Sequence, residues 1–185
     1  MSRLFGEIRQ IAFVVEDIDT AMDFWTDTLG IGPFFVKRDI RFANFKYRGN
    51  ETGSPRVSIA LANSGFIQVE LIQQQDNTPS IYLEFLQSGQ QGLQHVSSWL
   101  TSTQLAHKKL ELTEKGYEIA QECVIPSSGV QLVYFSTGKG AGKGAADVIF
   151  EISDLKEPGH YERVMGIKEA STNWDGGNGK IEVNV

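Results

Sequence analysis

Two carboxylates in this sequence sit where carboxylates are costly. Glu70 lies within F-I-Q-V-E-L-I-Q (66–73), and Glu151 within D-V-I-F-E-I-S-D (147–154). Both runs are rich in strand-forming side chains of the kind a core absorbs. An ionised carboxylate there needs a partner. Gln10 and His95 are the polar groups of two further apolar runs, I-R-Q-I-A-F-V-V (8–15) and L-Q-H-V-S-S-W-L (93–100). Amide, carboxylate and imidazole donors without a thiolate suit a divalent ion such as Zn, Ni, Co, Mn or Fe. Such an ion makes buried carboxylates tolerable. It also polarises a carbonyl and acidifies the carbon beside it, and a carboxylate can then move the proton as general base.

The elements that must position these residues fall into two similar sets. After the strand at 8–15, residues 16–30 read as a helix. Asp17 or Asp19 can cap it, Ala21, Phe24, Trp25 and Leu29 form its stripe, and Gly30 ends it. Strands are expected at 34–48, 55–63 and 66–74. Residues 75–91 are polar, with one short amphipathic piece, S-I-Y-L-E-F-L. The order then restarts with a strand at 93–100, a helix at 102–115 ended by Gly116, and strands near 117–125, 130–136 and 146–153. Spacing supports a repeat. Gln10 to Gly30 is 20 residues and His95 to Gly116 is 21; Gln10 to Glu70 is 60 and His95 to Glu151 is 56.

Strand parity puts Gln10 on a face with Ala12 and Val14, and Glu70 with Gln68 and Ile72. It likewise groups His95 with Ser97 and Trp99, and Glu151 with Ile149 and Ser153. Each set thus has an apolar side for its helix and a second side bearing the odd polar groups. Two curled sheets joined by those second sides would enclose a cleft. The fold class expected is α+β: paired βαβββ modules forming a cupped mixed sheet around a central metal site. The domain spans 1–153, with modules at 8–74 and 92–153, followed by a C-terminal extension at 154–185.

Bulk properties narrow the function. A net charge of −6 gives no electrostatic support to nucleic-acid or anionic-membrane binding. A single cysteine, Cys123, precludes an intrachain disulfide and is expected as a packed side chain in a reducing compartment. The N-terminus has no apolar signal core and no segment is apolar enough to span a membrane, so a soluble cytoplasmic protein is expected. G-K-G-A-G-K-G (138–144) lacks the Ser or Thr of a phosphate loop and reads as a loop near the pocket mouth. Lys46 and Arg48 are candidates to meet an anionic substrate. His107 reads as surface, and the glycine-rich tail as a loose segment packed on a neighbouring chain.

Q-I-A-F-V-V-E-D-I-D-T-A-M-D-F-W-T-D-T-L-G-I-G-P-F, V-E-L-I, G-L-Q-H-V and F-E-I together resemble the vicinal oxygen chelate superfamily, which includes glyoxalase I, methylmalonyl-CoA epimerase, extradiol dioxygenases and bleomycin resistance proteins. The resemblance covers residues 8–153. It implies one metal at the centre of the cupped sheet, held by Gln10, Glu70, His95 and Glu151, and a homodimer. Gln at the first position is similar to one glyoxalase I set, and I-G-P-F-F to the epimerase-like branch. Val14 and Gln91 stand where glyoxalase I carries arginines for glutathione. The activity expected is that of a metal-dependent lyase or isomerase moving a proton next to a carbonyl or thioester of a small molecule. Glu151 is expected as the proton carrier and Glu70 as its counterpart. The alternatives are a non-catalytic small-molecule-binding protein and, against Gln10, a ring-cleaving dioxygenase.

Overall fold

The computed structural model describes residues 2–137, 148–155 and 159–183. The loop expected at 138–144 lies outside the described residues. The first module runs β1 (Gln10–Val14), α1 (Ile18–Asp23), β2 (Phe34–Ile40), β3 (Ala43–Tyr47), β4 (Val57–Ser64) and β5 (Ile67–Gln74). α2 (Ile81–Gln87) links it to β6 (Gly92–Leu100), α3 (Ser102–Glu114), β7 (Glu118–Val124), β8 (Gln131–Ser136) and β9 (Ile149–Asp154). α4 (Gly159–Thr172) and β10 (Lys180–Glu182) follow.

Local chemistry sets the helix ends. Asp17 Oδ1 accepts from Thr20 N at 2.7 Å and starts α1. A π-helical turn at Phe24–Thr28 extends the helix, and Gly30, at φ +66°, ends it in the left-handed region. Ser80 caps α2, and Thr101 with Gln104 forms a capping box on α3.

The ten strands form one mixed sheet in the order β10-β2-β4-β5-β1-β6-β9-β8-β7-β3. The expected fold class is present, with one correction. Residues 34–48 are two strands. The first stays in its own module, whereas β3 crosses over and pairs with β7 of the other. α1 covers the first half-sheet through Ile18 and Met22, packed with Phe34, Val36, Val69 and Leu71. α3 covers the second through Leu105 and Leu112, packed with Val133, Phe135 and Ile152. Each fully buried side chain of this size stabilises the fold by about 1.5–3 kcal/mol.

The register reveals a pseudo-twofold between the antiparallel β1 and β6. Gln10 pairs with Ser97 and Ala12 with His95, so the axis exchanges Gln10 with His95 and Ala12 with Ser97. Ala12 pairs with Glu70 on parallel β5, and Ser97 with Glu151 on parallel β9. Glu70 and Glu151 are therefore equivalent as well.

The tail, expected as a loose segment, is ordered and folds onto its own chain. α4 lies on β4, where Ser171 Oγ accepts from Asn63 N at 2.9 Å. β10 adds in parallel to β2, and Lys180 binds Asp23 at 2.6 Å. The Trp174 ring closes over Gly32, leaving 3.1 Å for any β-carbon there. Among the described residues, no helix is long and apolar enough to cross a membrane.

Candidate metal centre

Glu70, His95 and Glu151 converge, with Glu70 and Glu151 lining a cavity. Each offers an atom within 4.8 Å of the others. His95 is fully buried, Glu151 is 3% exposed and Glu70 is 8% exposed. His95 Nε2 lies 3.4 Å from Glu151 Oε2 and 3.5 Å from Glu70 Oε2, yet has no hydrogen-bond partner among the described residues. The other ring nitrogen is committed: His95 Nδ1 meets Gln94 Oε1 at 2.6 Å, and Gln94 Nε2 donates to the Ile81 carbonyl at 3.1 Å. Because Gln94 Oε1 can only accept, Nδ1 must carry the proton. The neutral ring then presents the Nε2 lone pair to two carboxylates.

With the ring neutral, that geometry repels itself unless a metal ion stands between the three atoms; without one, a second ring proton must take its place. Ligand bonds of ~2.1 Å put the donors of one divalent ion roughly 3.0–3.4 Å apart, close to the separations found. The donor set and the orphaned Nε2 fit such an ion, and the Nδ1 contact is the outer support that metal-bound histidines ordinarily have. Gln10 sits in the cavity that Glu70 and Glu151 line. Its Nε2 donates to Gln68 Oε1 at 2.8 Å, which leaves Oε1, the atom an amide offers a metal, free for the cavity.

The two carboxylates are electrostatically unlike. Burial raises the pKa of Glu70, and the neighbouring Glu151 charge adds to this; His95 opposes them without reversing the direction. Burial also pushes Glu151 up, but His95, Ser97 and Tyr134 outweigh it and hold the group below its ordinary value. Ser97 Oγ donates to Glu151 Oε1 at 2.8 Å. Tyr134, cross-strand from Glu151, packs its ring edge-on against His95 and accepts from Tyr82 at 2.9 Å. Without a metal, burial lowers the His95 pKa, but Glu151 and Glu70 together lift it to about 9.

A cavity of about 630 Å³ opens above the cluster. Its walls are largely apolar, including Phe35, Phe42, Leu61 and Leu132, and Trp99 lines it too. α4 supplies His160, Arg163, Val164 and Ile167, so the extension forms one side of the cavity. Lys46 and Arg48, candidates for an anionic substrate, are engaged elsewhere: Lys46 lies 3.9 Å from Glu122, and Arg48 pairs with Glu84 at 2.7 Å. Among the described residues, the lysine that reaches the cavity is Lys37. The sequence reading missed Gln94, Ser97, Lys37 and the whole contribution of α4. Strand parity placed Ser97 on the His95 face, but its bond to Glu151 depends on the β6–β9 register, which the sequence does not show. Cys123 is buried and His107 exposed, as expected.

A family model described as the Glyoxalase/Bleomycin resistance protein/Dioxygenase superfamily matches residues 9–135. No curated protein matches the chain. Among solved structures, a hypothetical protein, BH1468, from Bacillus halodurans C-125 is similar at TM-score 0.55 and 19% identity, over 82% of this chain and 96% of that one. Methylmalonyl-CoA epimerase from Mycobacterium tuberculosis is similar at TM-score 0.54 and 16% identity, over 83% and 91%. A Streptomyces coelicolor methylmalonyl-CoA epimerase variant in complex with 2-nitronate-propionyl-CoA is similar at TM-score 0.52 and 13% identity, over 83% and 96%. Identities this low speak to the fold.

Proposed function

The chain belongs to the glyoxalase/bleomycin resistance protein/dioxygenase superfamily, and from that premise we propose that it is a metal-dependent lyase or isomerase that moves a proton next to a carbonyl or thioester. The observation that carries this reading is His95 Nε2, buried and unpaired between two carboxylates at 3.4 and 3.5 Å. Gln10, Glu70, His95 and Glu151 would hold the ion. Bound there, a divalent ion supplies the positive charge that stabilises an enolate-like oxygen.

The chain's own residues divide the remaining work. Gln94 fixes the His95 tautomer. Ser97 and Tyr134 favour the ionised form of Glu151 and keep it in place. Glu70 has no such anchor among the described residues, and burial raises its affinity for a proton. Glu70 therefore suits the carrier that takes the α-proton and returns it, a role for which the sequence alone put Glu151 first. A general base works best with a pKa near the operating pH, and the direction of the Glu70 shift is toward that range. The apolar cavity keeps bulk water from the carbanion.

The experiment is solvent deuterium exchange at the α-carbon, with metal-loaded protein in D₂O. Methylmalonyl-CoA and a hemithioacetal are the first probes, since epimerases are among the structural neighbours and glyoxalase I is among the resembling enzymes. Exchange is expected with at least one carbonyl compound, and Glu70→Gln should slow it by about 10²–10⁴-fold. A second reading, a binding protein without catalysis, draws on the apolar cavity walls. Tight ligand binding with no exchange by metal-loaded protein would favour it and refute the first.

A further inference from the structure

Two cations face the cavity with nothing to neutralise them among the described residues. Lys37, half-buried on β2, and Arg163 on α4 both line it. Neither makes an ion pair or side-chain hydrogen bond among the described residues, whereas Arg38, Arg48, Arg56 and Lys180 all do. They lie close enough that Arg163, after burial itself, helps to lower the Lys37 pKa. The negative charge in the cavity, on Glu70 and Glu151, is committed to His95. A third group is also unmatched. His160 lines the same cavity, and its Nδ1 is buried without a partner among the described residues. His160, Arg163, Val164 and Ile167 form an i, i+3, i+4, i+7 stripe, so a single face of α4 carries both the apolar wall and the polar groups.

Lys37 is half-buried, and a half-buried cation beside apolar surface is costly without a counter-ion; Arg163 is more exposed but lines the same cavity. Two converging on one apolar cavity describe a receptor for an anion borne on an apolar body. The sheet gives the distance scale. In register, Phe35 pairs with Leu61 and Leu61 with Glu70, while Lys37 pairs with Ile59. Lys37 thus lies two strands across and two residues along from Glu70. At ordinary strand spacings this separates the two Cα positions by roughly 12 Å. An extended chain of about eight atoms covers most of that span.

We propose that the cavity takes an amphipathic carbonyl compound: its carbonyl end at Glu70, His95 and Glu151, an apolar middle against Phe35, Leu61 and α4, and a carboxylate-sized anion between Lys37 and Arg163. This substrate class rests on the proton-transfer reading above but has its own observation, the unmatched cations. The C-terminal extension is then a part of the substrate site, because Arg163 and His160 come from it.

The test compares 7-oxooctanoate, which has both ends, with 2-octanone, which lacks the anion. Calorimetric titration is run on cobalt-loaded protein and again after chelation. The keto acid should bind at least about tenfold more tightly, as expected for hydrogen bonds to a charged group. The preference should survive metal removal, because the cations act at the far end. In the double variant Lys37→Gln, Arg163→Gln the preference should fall to near parity, with 2-octanone affinity unchanged; that unchanged affinity also reports an intact cavity. Equal binding of the two probes by wild type, no binding of the keto acid, or a preference that persists in the double variant would each overturn the proposal. A preparation that binds no metal yet keeps the preference would refute the catalytic reading alone. One that binds metal without the preference would refute the substrate class alone.

Discussion

Metal affinity should climb steeply with pH and then level off. In metal-free protein the proton on His95 stands in for the ion, because Glu151 and Glu70 lift the imidazole pKa to about 9 against the opposing effect of burial. Metal and proton compete for the same Nε2 lone pair. At pH 7, two units below that value, the ring is about 99% protonated and binding must expel the proton. The apparent affinity is then reduced about 100-fold, or roughly 3 kcal/mol, relative to its plateau. The dissociation constant should therefore fall about tenfold per pH unit from 7 to 9 and change little above. At lower pH the slope should steepen further as Glu70, also shifted upward, begins to hold a proton. Stability of the metal-free protein runs the opposite way. A raised folded-state pKa contributes stability that is fully present below about 6.5, the ordinary histidine value, and is lost as pH rises through about 9. The assay is competition of cobalt against a chelator of known pH dependence between pH 6 and 10. Titration in two buffers of different ionisation enthalpy counts the protons released, about one per ion at pH 7. A flat affinity above pH 7, or the same slope in His95→Gln, would refute the reasoning.

Other perturbations follow from the same contacts. Gln94→Leu removes the acceptor at His95 Nδ1, and metal affinity measured by the same competition should drop about 10–100-fold. The Cys123 thiol is buried, and burial followed by the Glu151 charge pushes its pKa well up, so a disulfide reagent at pH 8 should modify it only after unfolding, read as one thiol per chain. Ile167→Ala empties a buried contact beneath α4 and should cost about 2–5 kcal/mol in denaturant unfolding. Glu84→Gln breaks the half-exposed pair with Arg48 and should cost no more than about 1 kcal/mol in the same assay.

Much of the site was legible because it violates ordinary burial. A Glu in an apolar strand is conspicuous, and two at matching intervals from Gln10 and His95 define a repeat. The register makes that repeat a pseudo-twofold, with Ala12 against Glu70 and Ser97 against Glu151. The crossing of β3 was not legible. Phe42 and Phe45 pack with Val130 and Leu132 in one cluster, but no local pattern in R-F-A-N-F-K-Y-R says which sheet edge they will meet. The extension was missed for a related reason. Val164 and Ile167 are the buried residues of an otherwise polar helix, and that helix packs on β4, which lies about a hundred residues earlier in the chain. Lys37 looks like any alternating strand lysine until α4 places Arg163 beside it. The unlike character of Glu70 and Glu151 was equally hidden, because it depends on the donors Ser97 and Tyr134 reaching one carboxylate and not the other.

The central claim is that His95 Nε2 and its two carboxylates form a metal site. Elemental analysis of purified wild type beside His95→Ala tests it most directly, with both reconstituted in excess divalent metal and then freed of loosely bound ions. The account predicts close to one divalent ion per chain in wild type and almost none in the variant. Metal-free wild type after reconstitution, or equal metal in both proteins, would contradict it.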